Sequence, residues 1–256
     1  MYRAPPPRPS AGPPPRPRCR PRWRAGRSGL AAALLLAGTI AAAAPVPDTL
    51  AQRLQACTAC HGQEGRASNV GYLPRIAGKP AGYLYNQLIN FRDGRRANAA
   101  MVALLDPLSD AYLREIAAHF AAQDLPYPPP LPSAAPPAQL ARGQALVERG
   151  DAARGIPACT TCHGAAMTGA LPAFPGLLGL PRDYLLGQFG AWKTGLRRAV
   201  APDCMAQVVQ RLSDDDIGAL AAWLSAQPVP SGARPVAVLT QSLAVPLPLD
   251  CGSGTR

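Results

Sequence analysis

A six-residue block occurs twice in this chain, and its recurrence restricts the fold to two copies of one small unit. CTACHG at residues 57–62 returns as CTTCHG at residues 159–164, an offset of 102. Further on, Pro74, Gly78, Pro80, Tyr83, Leu84 and Gln87 return as Pro175, Gly179, Pro181, Tyr184, Leu185 and Gln188, each 101 residues later. Met101, Leu108, Ser109 and Asp110 return as Met205, Leu212, Ser213 and Asp214, each 104 later. Blocks of constant offset mark shared structure, and small changes between blocks mark loop insertions.

The repeat sets the domain plan. Residues 125–137 (LPYPPPLPSAAPP) hold seven prolines and should run as an extended, semi-rigid linker. They separate a first domain at 45–124 from a second at 138–227, and the proline-punctuated stretch 228–256 has no counterpart in the first copy. That tail is expected to be extended and to lie on the second domain. Helix signals dominate both copies. Ser109 and Ser213 read as N-caps before acidic first turns (Asp110; Asp214, Asp215, Asp216), and apolar residues follow at helical spacing. Pro80 and Pro181 suit the first turn of another helix pair, with Tyr83, Leu84, Leu88 and Phe91, or Tyr184, Leu185, Phe189 and Trp192, facing inward. No stretch alternates well enough to be a sheet strand, so the expected class is all-α.

The repeated block carries the chemistry. Cys-x-x-Cys-His is the attachment signature of c-type haem. Cys57 with Cys60, and Cys159 with Cys162, are spaced to add to the two vinyl groups of one porphyrin, and His61 or His163 then stands beneath the iron. A zinc half-site and a thiol redox pair use the same Cys-x-x-Cys spacing. Two copies, each followed by His, favour two covalent haems. The opposite axial ligand is expected to be Met101 in the first copy and Met205 in the second, since the chain has three histidines and His119 alone lies outside the motifs. A lone Met is ordinarily core filling, but these two hold equivalent places, seven residues before the Leu-Ser-Asp helix start. Met167 is too near His163 and has no counterpart; His119 aligns with Trp223 and reads as packing. His/Met ligation raises the potential and fills both axial positions, which suits one-electron exchange.

Charge excludes a further class. The net charge is +11, but eight of the 26 basic residues fall within residues 1–44 without an acid, leaving 18 basic against 15 acidic groups. The remaining +3 provides no broad basic face for nucleic acid. Residues 1–44 read as a secretory signal peptide: a basic n-region, an apolar run at 29–44 and small residues for cleavage at 41–44. The mature protein should then work in an oxidising compartment.

The ordered set of motifs resembles the dihaem cytochrome c4 group of class I c-type cytochromes. The resemblance is carried by the tandem CxxCHG blocks, GDAARGIPACTTCHG at 150–164, AGKPAGYLYNQLINFRDGRRANAAM at 77–101 and the paired Met-x6-Leu-Ser-Asp segments. It implies two tandem class I cytochrome c domains about a pseudo-twofold, and periplasmic electron transfer between redox protein partners, commonly from a cytochrome bc complex toward a terminal oxidase. Peripheral association with membrane complexes is compatible with that role, and the protein would be an electron carrier and not an enzyme. The alternative is a dihaem cytochrome subunit of a periplasmic dehydrogenase, such as a sulfide-oxidising flavocytochrome; a dihaem peroxidase is a more distant one. Cys204 and Cys251 are the two cysteines left after haem attachment and loss of Cys19, and they are expected to form a disulfide holding the tail near Met205. Arg92, Arg95 and Arg96, with Lys193, Arg197 and Arg198, form basic clusters that would either steer a partner or lie as solvated or propionate-neutralising charges.

Overall fold

The computed structural model describes residues 49–67, 71–237 and 249–254. The signal-peptide reading of residues 1–44 falls outside these. In the first half, α1 (Leu50–Arg53) and α2 (Gln55–His61) lead through a 3-10 turn to α3 (Ala81–Arg92), α4 (Ala99–Leu105) and α5 (Asp110–Ala121). The second half runs α6 (Pro137–Arg149), α7 (Cys159–His163), α8 (Arg182–Lys193), α9 (Cys204–Arg211) and α10 (Asp214–Ala226). The matched pairs α2/α7, α3/α8, α4/α9 and α5/α10 follow the repeated blocks of sequence.

Helix ends are set by side chains that satisfy otherwise unpaired amides. Ser109 Oγ accepts from the Tyr112 amide at 3.3 Å, and Ser213 forms a capping box with Asp216. Asn98 and Asp203 cap α4 and α9, the helices that carry Met101 and Met205. Pro80 and Pro181 occupy the cap positions just before α3 and α8, one residue earlier than the sequence reading placed them. Pro137, the last residue of the proline-rich stretch, already belongs to α6, where its missing N–H is harmless.

Each half buries its own hydrophobic cluster. Leu54, Leu84, Ile89, Leu113, Ile116 and Phe120 centre the first, and Leu146, Tyr184, Phe189, Val209, Leu220 and Leu224 the second. In the second half α6 crosses α10 so closely at Gly143 that a Cβ there would meet the Ala219 carbonyl oxygen. The all-α expectation needs one amendment: β1 (Gly169–Ala170) pairs antiparallel with β2 (Phe174–Pro175), a two-residue hairpin too short to leave an alternating pattern.

The proline-rich stretch is laid down on the body. Arg75 donates to the carbonyls of Leu125 and Pro126, and its guanidinium lies 3.9 Å over the Tyr127 ring. The described part of the tail packs on the second half, where Val236 exchanges backbone hydrogen bonds with Gly169 and Leu171. It also reaches the first half, through an Arg234–Asp124 ion pair and an Asn86 amide donating to the Ser253 carbonyl at 2.9 Å. Cys251 is joined to Cys204 by a disulfide, which ties that part of the tail to α9, the helix of Met205.

Candidate haem sites

Both Cys-x-x-Cys-His blocks form short helices that stop at glycine. Gly62 and Gly164 have φ of 75° and 82°, in the left-handed region where a side chain is strained. A Cβ on Gly62 would also lie 3.0 Å from the Ala67 amide nitrogen. That sharp exit returns the chain so that a proline carbonyl faces each histidine. His61 Nδ1 donates to Pro74 O at 2.9 Å, and His163 Nδ1 donates to Pro175 O at 2.7 Å. A carbonyl only accepts, so Nδ1 carries the proton and Nε2 keeps its lone pair. This is the tautomer and the ring anchoring that an iron-ligating imidazole requires.

Electrostatics agree. His61 is 9 % and His163 6 % exposed. Burial pushes the His61 pKa down, the Pro74 hydrogen bond works against it, and the Arg96 charge lowers it further. For His163 burial again leads, opposed by Pro175 and reinforced by Lys79. Both imidazoles are thereby held neutral. Burial also raises the thiols of Cys57 and Cys162, and pushes Cys159 up to about 12 with help from Cys162. A reactive dithiol needs the opposite shift. Among the described residues no group of three or more His, Cys, Asp or Glu is placed to hold a metal ion.

The donor set fits a c-type haem in each half. Cys57 and Met101 pack against the first cluster, Cys159 and Met205 against the second, so each half brings a cysteine of its motif and its methionine to one core. Met167 is buried in the loop ahead of β1, and His119 lies edge-on to Phe120 at 5.1 Å.

The basic clusters are open only in part: Arg198 is exposed, and Arg92, Arg95 and Lys193 are half-buried. Arg96 and Arg197 are buried where the two halves meet. Arg96 donates to Gln87 Oε1 at 3.0 Å and Gln188 Oε1 at 2.6 Å; Arg197 donates to Gln188 Oε1 at 2.8 Å and Gln87 Oε1 at 3.1 Å. Arg96 lies over Phe91 and Arg197 over Trp192, the same residue place in each copy. Burial and the nearby Arg96 charge both lower the Arg197 pKa. Arg92 is paired with Asp110 and Asp93, Arg95 with Asp93, and Lys193 donates to the Leu212 carbonyl. Arg198 donates its amide to Arg95 O across the halves. Sequence reasoning flagged Gln87, Gln188, Pro74 and Pro175 only as repeat positions; their constant offset was the available signal, without a role attached.

No protein-family model matches the chain. It is 39 % identical over 174 residues to a thiosulfate dehydrogenase electron acceptor of Thiomonas intermedia, covering 68 % of this chain and 79 % of that one. It is 34 % identical over 199 residues to a cytochrome c4 of Pseudomonas aeruginosa, covering 76 % of this chain and 96 % of the relative. Among solved structures, thiosulfate dehydrogenase of Marichromatium purpuratum matches with TM-score 0.61 at 34 % identity over 68 % of this chain; the match spans only 36 % of that longer chain. Reduced cytochrome c4 of Pseudomonas stutzeri matches with TM-score 0.58 at 32 % identity, covering 69 % of this chain and 95 % of that one.

Proposed function

The chain belongs to the dihaem cytochrome c4 family, with two covalently bound haem c groups, and on that premise we propose that it is a periplasmic carrier of single electrons drawn from a sulfur-compound dehydrogenase. The family makes it an electron carrier and not an enzyme. The observation that carries the reading is the matched histidine geometry. Each Nδ1–H is committed to a proline carbonyl and each Nε2 is free for iron. In this reading residues 45–124 hold one haem through Cys57, Cys60, His61 and Met101, and residues 138–227 hold the other through Cys159, Cys162, His163 and Met205. The haems supply reversible one-electron exchange. The protein's residues fix the imidazoles, exclude water and, through Arg96, Arg197 and the two glutamines, hold the halves in one relation so that an electron can pass between them.

The electron source is inferred from two relatives named as thiosulfate dehydrogenase electron acceptors, at 39 % and 35 % identity. A second reading, passage from a cytochrome bc complex toward a terminal oxidase, is favoured by the cytochrome c4 relatives that align over 96 % of their length. Stopped-flow mixing of the oxidised, haem-loaded protein with either purified donor distinguishes them. Reduction by thiosulfate plus its dehydrogenase within milliseconds to seconds supports the first; rapid reduction only by the quinol-driven complex replaces it with the second. Met101→His and Met205→His should each remove about half of the ferric methionine band; an unchanged band would overturn the ligand assignment.

A further inference from the structure

Lys79 belongs to the first half by sequence and to the second by contact. Its side chain is buried, at 4 % exposure, and its ammonium donates to the carbonyl of Gly176 at 2.9 Å, 97 residues away. Gly176 directly follows Pro175, whose carbonyl accepts from His163. The ammonium therefore sits one peptide unit behind the group that orients the proposed iron ligand. No carboxylate pairs with it among the described residues; it also lies over the face of the Tyr127 ring at 5.9 Å. An unpaired cation in such a place is felt strongly, because the surrounding dielectric is low. Its positive charge already bears on His163.

The duplication leaves this charge without a twin. The register that matches Gly78 with Gly179 and Pro80 with Pro181 sets Leu180 opposite Lys79, and Leu180 is an apolar core residue. The cation that bears on His61 is Arg96, which does have a twin, Arg197, in the shared network between the halves. Lys79 thus has no counterpart in the duplication; the other buried cation without one, Arg75, follows Pro74 where the second half has Gly176, and it turns to the carbonyls of Leu125 and Pro126.

We propose that Lys79 is a positioning residue that raises the reduction potential of the haem on Cys159 and Cys162 relative to the haem on Cys57 and Cys60, biasing an electron toward the second half. The inference rests on His163 being the proximal ligand. An oxidised site carries one more positive charge than a reduced one, so a fixed cation beside the ligand's hydrogen-bond acceptor disfavours oxidation. The bond to Gly176 O also fixes the turn that presents the Pro175 carbonyl.

Potentiometric titration of the haem-loaded protein tests this, with each wave assigned to its half by NMR contacts from haem substituents to Phe189 and Trp192 or to Phe91. Lys79→Met should change the oxidised-to-reduced ratio of the second haem about tenfold at fixed potential, a shift of about 59 mV downward, and move the first wave by less than half as much. Lys79→Gln keeps a donor for Gly176 and drops the charge; it carries the same expectation if Lys79→Met loads haem poorly. Lys79→Arg should restore most of the shift. A second wave that stays in place in Lys79→Gln, or two waves that move equally, overturns the proposal. The ferric methionine band of the same samples reports on the ligand assignment separately, while the wave shift alone decides for Lys79.

Discussion

Arg96 and Arg197 pair with each other in an antiparallel bridge between the halves, and each guanidinium reaches the glutamine of its own half and that of the other. Two like charges are held together there by carboxamide oxygens and aromatic faces, without a carboxylate among the described partners. The planar guanidinium can span both acceptors; a lysine ammonium cannot. Arg197→Lys therefore keeps the charge and should still cost about 1–2 kcal/mol, the worth of a lost buried hydrogen bond. Denaturant unfolding of the haem-loaded protein measures it, and a change under about 0.3 kcal/mol would contradict the shared role.

The Cys204–Cys251 bridge closes a separation of 47 residues. In the loop-entropy account, a loop of that length stabilises the fold by about 4 kcal/mol. The Cys204→Ala/Cys251→Ala protein should unfold at clearly lower denaturant. In the proposed haem-loaded protein without residues 1–44, Cys57, Cys60, Cys159 and Cys162 are taken up by haem, so unfolded, unreduced protein should show no titratable thiol; two free thiols would refute the bridge.

Asp216 is buried at the start of α10 and is gripped by Arg154 at 2.7 Å and Arg142 at 2.9 Å. Burial opposes its charge, but hydrogen bonds from Arg154, Ser213 and Arg142 outweigh that and hold the carboxyl well below the usual range. A folded pKa below the unfolded value means that the stabilisation is complete above about pH 4 and is lost as pH falls through the folded value. Asp216→Asn should cost about 2–3 kcal/mol at neutral pH. The gap from wild type should narrow below about pH 4; a gap that stays constant down to pH 2 would contradict the linkage.

Gly143 is the contact point of α6 and α10, where a Cβ would overlap the Ala219 carbonyl and approach the Trp223 Cβ at 2.7 Å. Gly143→Ala has a favourable helix propensity but must push the two helices apart. Overpacking of this kind costs about 1–3 kcal/mol, so the variant should be less stable despite the better helix former. A thermal melt showing it equal to or above wild type would mean the helices slide freely.

The duplication, the two Cys-x-x-Cys-His helices and the serine caps were legible because each is written in simple spacing: a constant offset, a helical turn, a cap three residues from its amide. Ser109 and Ser213 cap the helices that their neighbours announce. The acceptors of the two histidines were legible only as repeated prolines, since the carbonyl that matters belongs to the backbone. What the linear chain leaves undecided is where a charge ends up. Arg96 and Arg197 read as members of two basic clusters and Lys79 carried no reading of its own; their burial depends on partners about 100 residues away: Gln188, Gln87 and the Gly176 carbonyl. Attachment chemistry needs only neighbours in sequence, whereas desolvating a cation needs an acceptor that arrives from the other half of the fold, and so only the tertiary structure decides which buried charge each of the two nearly repeated sites receives.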